Sequence, residues 1–258
     1  MPRVRSSLIP TLGLVVGLIA WEAITRVLNV PLYLIPPPSA VLQAIFQRPT
    51  IPWLAHSLAT LYETMAGFAL AVAFGIVSAI AIVYSRILER LLYPYILIAQ
   101  MLPKVAIAPL LMIWFGYGIT PKIVVAFLVA FFPMVIDTAT GLKAVEPELM
   151  DLIRSLRATS MQEFVKVRLP NALPYVFSGL KVSITLAVVG AVVAEFVGSS
   201  TGLGYLILVA NTYVDTPMAF GGLLLISLMG ILLFYAVVAI EKIVMPWQES
   251  KIERAMVY

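Results

Sequence analysis

Residues 146–174 read EPELMDLIRSLRATSMQEFVKVRLPNALP, and the alternation of charge and apolar surface here sets the reading of the whole chain. The stretch carries Asp151, Arg154, Arg157, Glu163, Lys166 and Arg168. Apolar runs long enough to cross a bilayer lie on both sides of it. A chain that is 62% apolar and only 12% charged does not spend so many charges on an idle loop, so this segment is built to hold something outside the membrane. Uncharged windows of about 20 residues match the length a helix needs to span the hydrocarbon. Backbone groups in lipid must be satisfied internally, and continuous runs select helices over a closed barrel.

Working outward, the chain reads as an all-α membrane protein with six spans in a single transmembrane domain, 1–258. They cover about 8–28, 57–84, 91–115, 121–143, 174–198 and 217–244. The basic start followed by an apolar run mimics a signal peptide, but it lacks a small-residue cleavage site and reads as a retained span. Thr120-Pro121 and Thr216-Pro217 each predict a hydroxyl cap ahead of a proline at the first helical position. Pro36-Pro37-Pro38 predicts a stiff extended stretch, after which Ser39 caps a short helix over 40–46. The third span is interrupted by Pro103 and Pro109, which predicts a kink or break beside Lys104. That break is either a packed kink or part of a pathway. The run after Gly202-Leu203-Gly204 is too short to span and reads as re-entrant or interfacial.

Placing the amino terminus in the cytoplasm puts twelve of the 17 Lys and Arg residues inside, which the positive-inside rule favours. Both termini and the 146–174 stretch are then cytoplasmic. Within that stretch Leu149, Leu152, Ile153 and Leu156 recur at helical spacing and form one apolar face. A break follows at Ala158-Thr159, and Ser160 with Glu163 predicts a capping box for a second short helix. Leu169-Pro170 is expected to end it, and Pro174 to open the next span. The result is a helix–turn–helix with an apolar stripe and basic edges. Two readings stand: a basic amphipathic piece resting on anionic headgroups, or a docking element for a soluble partner.

Other chemistry is scarce. There is no cysteine, which excludes disulfides, thiolate metal sites and cysteine nucleophiles. The single histidine, His56, builds no metal cluster, so neither a metal site nor a cofactor is expected. No Gly-x-x-x-x-Gly-Lys-Ser/Thr loop is present to cradle nucleotide phosphates. No convergent set of catalytic groups is visible, so no catalytic residues are assigned and the chain reads as no enzyme. Charges inside spans are costly and therefore informative. Asp137 and Lys181 both fall about 8–9 Å to the inner side of the midplane at 1.5 Å per residue, which predicts an ion pair, either a structural tie or a gate. Glu63 and Glu195 share a level in the outer half, and Glu63 either pairs with Arg26 or caps local structure. Lys104 lies near the midplane, where it either attracts an anion or neutralises a buried acid. Met101, Met112 and Phe115 are candidates for an apolar path or for ordinary packing.

The 146–170 loop resembles that of permease subunits in ATP-binding-cassette importers. Their pattern is Glu-Ala-Ala, three residues, Gly, nine residues, Ile-x-Leu-Pro. Laid on Leu169-Pro170, it puts Asp151, Leu152 and Ile153 at the triplet, Arg157 at the glycine and Val167 at the isoleucine, so the spacing holds while the triplet and glycine diverge. Pro36-Pro37-Pro38-Ser39, Ile113-Trp114-Phe115-Gly116-Tyr117-Gly118, Ala194-Glu195-Phe196-Val197-Gly198 and Gly202-Leu203-Gly204 resemble motifs of a subgroup that imports nitrate, sulfonates, taurine or pyrimidine precursors.

The resemblance spans about Trp21 to Trp247. It implies a type I importer permease fold in the bacterial inner membrane and a homodimer of this chain forming the solute path. It also implies two separate ATPase subunits that bind the ATP, an extracytoplasmic solute-binding protein and no nucleic-acid partner. Contact with the ATPase would fall on Asp151, Leu152, Ile153, Arg154, Leu156, Arg157, Ala158, Thr159 and Ser160. Path or gate candidates are Lys104, Asp137, Lys181, Glu195, Met101 and Met112. If the glycine position is left-handed, Arg157 costs on the order of 1–2 kcal/mol there, and either the turn is reshaped or the arginine has a compensating contact. The alternative is a self-sufficient secondary transporter, which would carry a second, matching broken span.

Overall fold

The computed structural model describes residues 3–48 and 50–247, with side chains from Leu12 onward. The described residues form helices and connecting turns, with no strand among them. In chain order the helices are α1 (Arg3–Val27), α2 (Pro38–Phe46), α3 (Trp53–Tyr84), α4 (Arg86–Met101), α5 (Ala108–Phe115) and α6 (Ile119–Lys143). They continue with α7 (Pro147–Ser155), α8 (Ser160–Glu163), α9 (Leu169–Gly198), α10 (Leu203–Thr212) and α11 (Thr216–Val244). A 3₁₀ turn, Lys104–Ile107, precedes α5, and a π-turn, Phe164–Arg168, joins α8 to α9.

Among the described residues, four helical runs are long and apolar enough to cross a membrane: Trp53–Tyr84, Ile119–Lys143, Ser160–Gly198 and Thr216–Val244. The interrupted third span becomes α4 and α5, bent by 85° at Pro103, and makes a fifth if counted as one span. Its first expected neighbour, 8–28, runs along α1, whose side chains up to residue 11 lie outside the described residues.

The chain divides into two compact units, Met1–Ala59 with Ser200–Ser227, and Thr60–Ser199 with Leu228–Tyr258. The core of the first is Trp53, Leu203, Leu206, Ile207, Ala210, Met218 and Ala219. Here two expected caps are corrected. Pro38 opens α2, and Ser39 accepts no helical N–H; its own N–H and hydroxyl donate to the Glu22 carboxylate at 3.0 and 2.7 Å. Pro38 has no N–H, so Ser39 supplies the first donor, and a carboxylate is the stronger acceptor for it. Glu22 also takes Arg26 at 2.6 Å, which removes Arg26 as a partner for Glu63. At α11 the cap is Asp215, which accepts from the Met218 N–H at 3.2 Å, while the Thr216 hydroxyl donates to the Tyr33 carbonyl.

In the second unit α6 and α9 pack closely against each other, and small residues explain it. A Cβ at Gly190 would stand 2.8 Å from Ala126 Cα, and one at Gly67 of α3 would stand 2.5 Å from Ala126 Cβ. Ala71, Ala130 and Ala187 close the same seam. Small side chains let helix backbones approach where lipid supplies no hydrophobic drive. At α6 the cap residue is Gly118 rather than Thr120, because the helix begins at Ile119 and Thr120 already lies in its first turn.

The second half of the elbow departs from expectation. Leu169-Pro170 does not end a helix and Pro174 does not start one; the run is continuous from Ser160 to Gly198. The π-turn explains this. Leu169 donates to the Phe164 carbonyl, which opens the helix just before Pro170 and makes room for its ring against the preceding turn.

Candidate functional site

The elbow is built from two caps in succession. α7 ends with the Arg157 N–H donating to the Arg154 carbonyl at 3.0 Å and the Ala158 N–H donating to the Ile153 carbonyl at 3.3 Å. That pair of bonds is a Schellman motif, which needs a left-handed residue at its centre. Arg157 fills it, with φ 55°. Glycine is the usual occupant, and a side chain in this conformation costs about 1–2 kcal/mol. The turn is therefore retained in spite of the arginine, not reshaped by it. Next, Thr159 accepts from the Gln162 N–H at 3.3 Å, and the Gln162 side chain accepts from the Thr159 N–H at 2.9 Å. This is the capping box, displaced one residue from the expected Ser160–Glu163 pair. Glu163 is unavailable for it because its carboxylate takes Arg168 Nε at 2.7 Å.

Arg168 anchors the base of the elbow. It also donates to the Leu142 carbonyl at 3.2 Å, in the last turn of α6, and lies 6.0 Å from the centre of the Tyr84 ring. Of α7 only Met150 is buried. The expected apolar stripe does not fold back onto the bundle: Leu149 and Leu152 are exposed, and Leu156 is 73% exposed. Asp151, Arg154, Arg157, Thr159 and Ser160 are exposed as well, with Ile153 and Ala158 half-buried. A cavity of about 320 Å³ lies beside the elbow, lined by Ile80, Tyr84, Ser160, Met161 and Phe164. Of the nine residues expected to contact a partner, seven are thus exposed and two half-buried, on an elbow pinned at its base.

The intramembrane charges are arranged differently from expectation. Lys181 does not pair with Asp137; its ammonium sits 3.0 and 2.9 Å from the two carboxylate oxygens of Glu241 on α11. The reason is helical phase. Asp137 abuts Gly179, where an added Cβ would stand 3.1 Å from its own Cβ. Lys181 is two residues further on and points to nearly the opposite side of α9. Glu195 is fully buried and accepts from the Thr60 hydroxyl at 2.6 Å, so it ties α9 to α3 inside the packed unit and presents no open gate surface. Met112 is likewise buried, in a cluster with Ala108, Leu111, Val125 and Ala194, because α5 packs there against α6 and α9. Met101 lies at the break and is 84% exposed. Lys104 donates to the Gln100 carbonyl at 2.7 Å and stands 4.6 Å above the Phe132 ring.

Sequence reasoning missed Lys122, the second residue of the expected span 121–143. The residue is buried on α6, where its ammonium pairs with Glu63 and donates to the Ser199 hydroxyl at 3.0 Å. Two carboxylates at one level demand a cation at that level, and Lys122, near the start of the fourth span, was the signal.

With this geometry in place, the comparisons identify the fold's relatives. The family of inner-membrane components of binding-protein-dependent transport systems matches residues 71–252. The chain belongs to this family. Among its relatives, the formylaminopyrimidine transport permease protein ThiX of Halalkalibacterium halodurans is 34% identical over 97% of this chain and 100% of its own length. The taurine transport system permease protein TauC of Escherichia coli is 32% identical, over 88% of this chain and 84% of its own. A chain of the inward-facing MetNI methionine ABC transporter superposes with a TM-score of 0.65 at 20% identity, covering 76% of this chain and 98% of that one. The fold is that of a type I importer permease, all-helical and multi-pass, as the motifs implied. The binding-protein-dependent family is a transport family of the inner membrane, and membership in it favours that reading over a self-sufficient secondary transporter.

Proposed function

We propose that this permease forms the solute path as a homodimer, each copy driven through its 146–170 elbow by one of two ATP-binding-cassette ATPase subunits. The observation that carries this is the uncovered stripe Leu149, Leu152 and Leu156 on a turn whose base is pinned by Arg168. An apolar stripe left open at the end of a firmly anchored helix fits a protein groove. ATP binding closes the ATPases, and the elbows transmit that motion to the spans. The permease itself binds no ATP and needs no cofactor. The charge distribution supports both termini and the elbow on the cytoplasmic side. A solute-binding protein delivers the solute on the other face.

The solute is a small organic or inorganic anion, such as a sulfonate, taurine or a nitrate-like ion, or a small aromatic such as a pyrimidine. The full-length similarity to ThiX supports the heterocycle, and that to TauC the sulfonate. Lys104, at the break in the third span, supplies a cation for an anionic solute from each copy. The elbow assignment is tested by Leu152→Asp with Leu156→Asp. The permease inserts normally, its tagged form no longer co-purifies the ATPase, and uptake falls to background. Full uptake by this variant rejects the assignment. The solute is identified by thermal shift of the purified binding protein against sulfonates, taurine and pyrimidines.

A further inference from the structure

Arg157 is the residue of the elbow that the fold itself does not explain. It holds a left-handed conformation at the centre of a Schellman motif, where glycine or asparagine sits without strain. Its side chain is exposed and enters no hydrogen bond, ion pair or ring contact among the described residues. The nearest cation in sequence, Arg154, is engaged with Asp151 at 3.7 Å. Strain at an exposed position without an internal partner points to an external one.

The polar residues of α7 say what kind of partner. Glu148 and Asp151 against Arg154 leave the helix with a net negative charge, by one negative unit. Helices that lie on anionic headgroups carry a Lys- and Arg-rich polar face, so a lipid bed is the poorer fit. A protein surface that offers an apolar groove for Leu152 and Leu156, with a carboxylate at the groove's end, matches the tip, because Arg157 directly follows the last residue of the stripe.

We propose that Arg157 is a specificity determinant of the permease–ATPase interface, pairing through its planar guanidinium with a carboxylate on the ATPase subunit. This inference rests on the docking of the elbow proposed above. An arginine fork binds a carboxylate with two parallel bonds, which lysine does not reproduce. The competing explanation within the chain is a favourable cation at the carboxyl end of α7, which lysine would satisfy equally well.

The test uses the full-length permease in lipid nanodiscs and its cognate ATPase subunits, with affinity read by surface binding at low and high salt. Arg157→Asn keeps the left-handed turn and removes the charge. It is expected to weaken ATPase binding about tenfold at low salt, the scale of one lost charge-assisted pair, with a smaller loss at high salt. Arg157→Lys is expected to recover only part of the affinity. Arg157→Glu is expected to bind worst, and to be rescued by replacing the facing carboxylate of the ATPase with lysine. Thermal stability of Arg157→Asn alone should equal or exceed that of the unmodified chain, which separates lost contact from lost fold. Wild-type affinity in Arg157→Asn and Arg157→Glu overturns the proposal, as does full recovery by Arg157→Lys. An effect confined to nanodiscs containing phosphatidylglycerol, absent in pure phosphatidylcholine, assigns the contact to lipid and overturns it too. Leu152→Asp with Leu156→Asp, measured alongside, keeps the failures apart. If that variant loses binding while the Arg157 variants do not, only the present inference falls; if it binds normally, the docking reading falls as well.

Discussion

Toward the carboxyl end of α9, Glu195 is sealed among helices with Thr60, while Glu63 and Lys122 pair between α3 and α6 of the same unit. Beyond its amino end, Asp151 and Arg154 on α7 and Arg157 on the turn that follows it stand in the open. Both groups carry charge in a chain that spends little of it, yet they answer to different physics. The sealed group holds three helices together, and its members have each other as partners. The open group contributes almost nothing to holding the chain together, so its residues are free to be chosen for what they meet outside. Burial therefore separates the charges that hold the helices together from those left open to solvent.

The contrast is broken most easily at the sealed end. Lys122→Met leaves the Glu63 carboxylate buried without its cation and is expected to lose about 3–5 kcal/mol in detergent unfolding. Glu63→Gln with Lys122→Met should recover most of that loss. A single Lys122→Met variant as stable as the unmodified protein would show that the group is no scaffold. At the α6–α9 seam, Gly190→Val forces atoms against Ala126 and is expected to cost about 1–3 kcal/mol by the same measurement. The half-buried Lys181–Glu241 pair sharpens the middle of the range. Neutralising either partner should cost on the order of 1 kcal/mol, and exchanging the two residues should restore it. Asp137→Asn should leave that exchange unaffected. At the open end, Asp151→Asn should change stability by less than about 0.5 kcal/mol, because its contact with Arg154 is solvent-exposed.

Much of this architecture was legible in the residues. Hydropathy located the long helices, Pro103 and Pro109 announced the break between α4 and α5, and the 151–170 spacing placed the elbow. Caps were misread wherever a remote or stronger acceptor intervened. Glu22 reaches Ser39 from another helix, and Asp215 precedes the threonine chosen as a cap. The Asp137–Lys181 pair failed because depth along the membrane was matched without regard to helical phase. Lys122 was missed because a cation in the first turn of a span was not sought as the partner of Glu63. The continuity through Pro170 depended on a π-turn, which leaves no mark in a periodicity count.

That π-turn has a consequence for how the elbow is aimed. From Ser160 to Gly198 the chain is a 39-residue rod, about 58 Å long at 1.5 Å per residue. A π-turn holds one residue more than the α-turn it replaces. Excising a single residue from 164–168 would let the rod wind evenly and swing everything before it through about 100° around the axis. Leu152, Leu156 and Arg157 would then survive intact but face another azimuth. One surplus residue thus sets the bearing of the elbow's exposed apolar stripe.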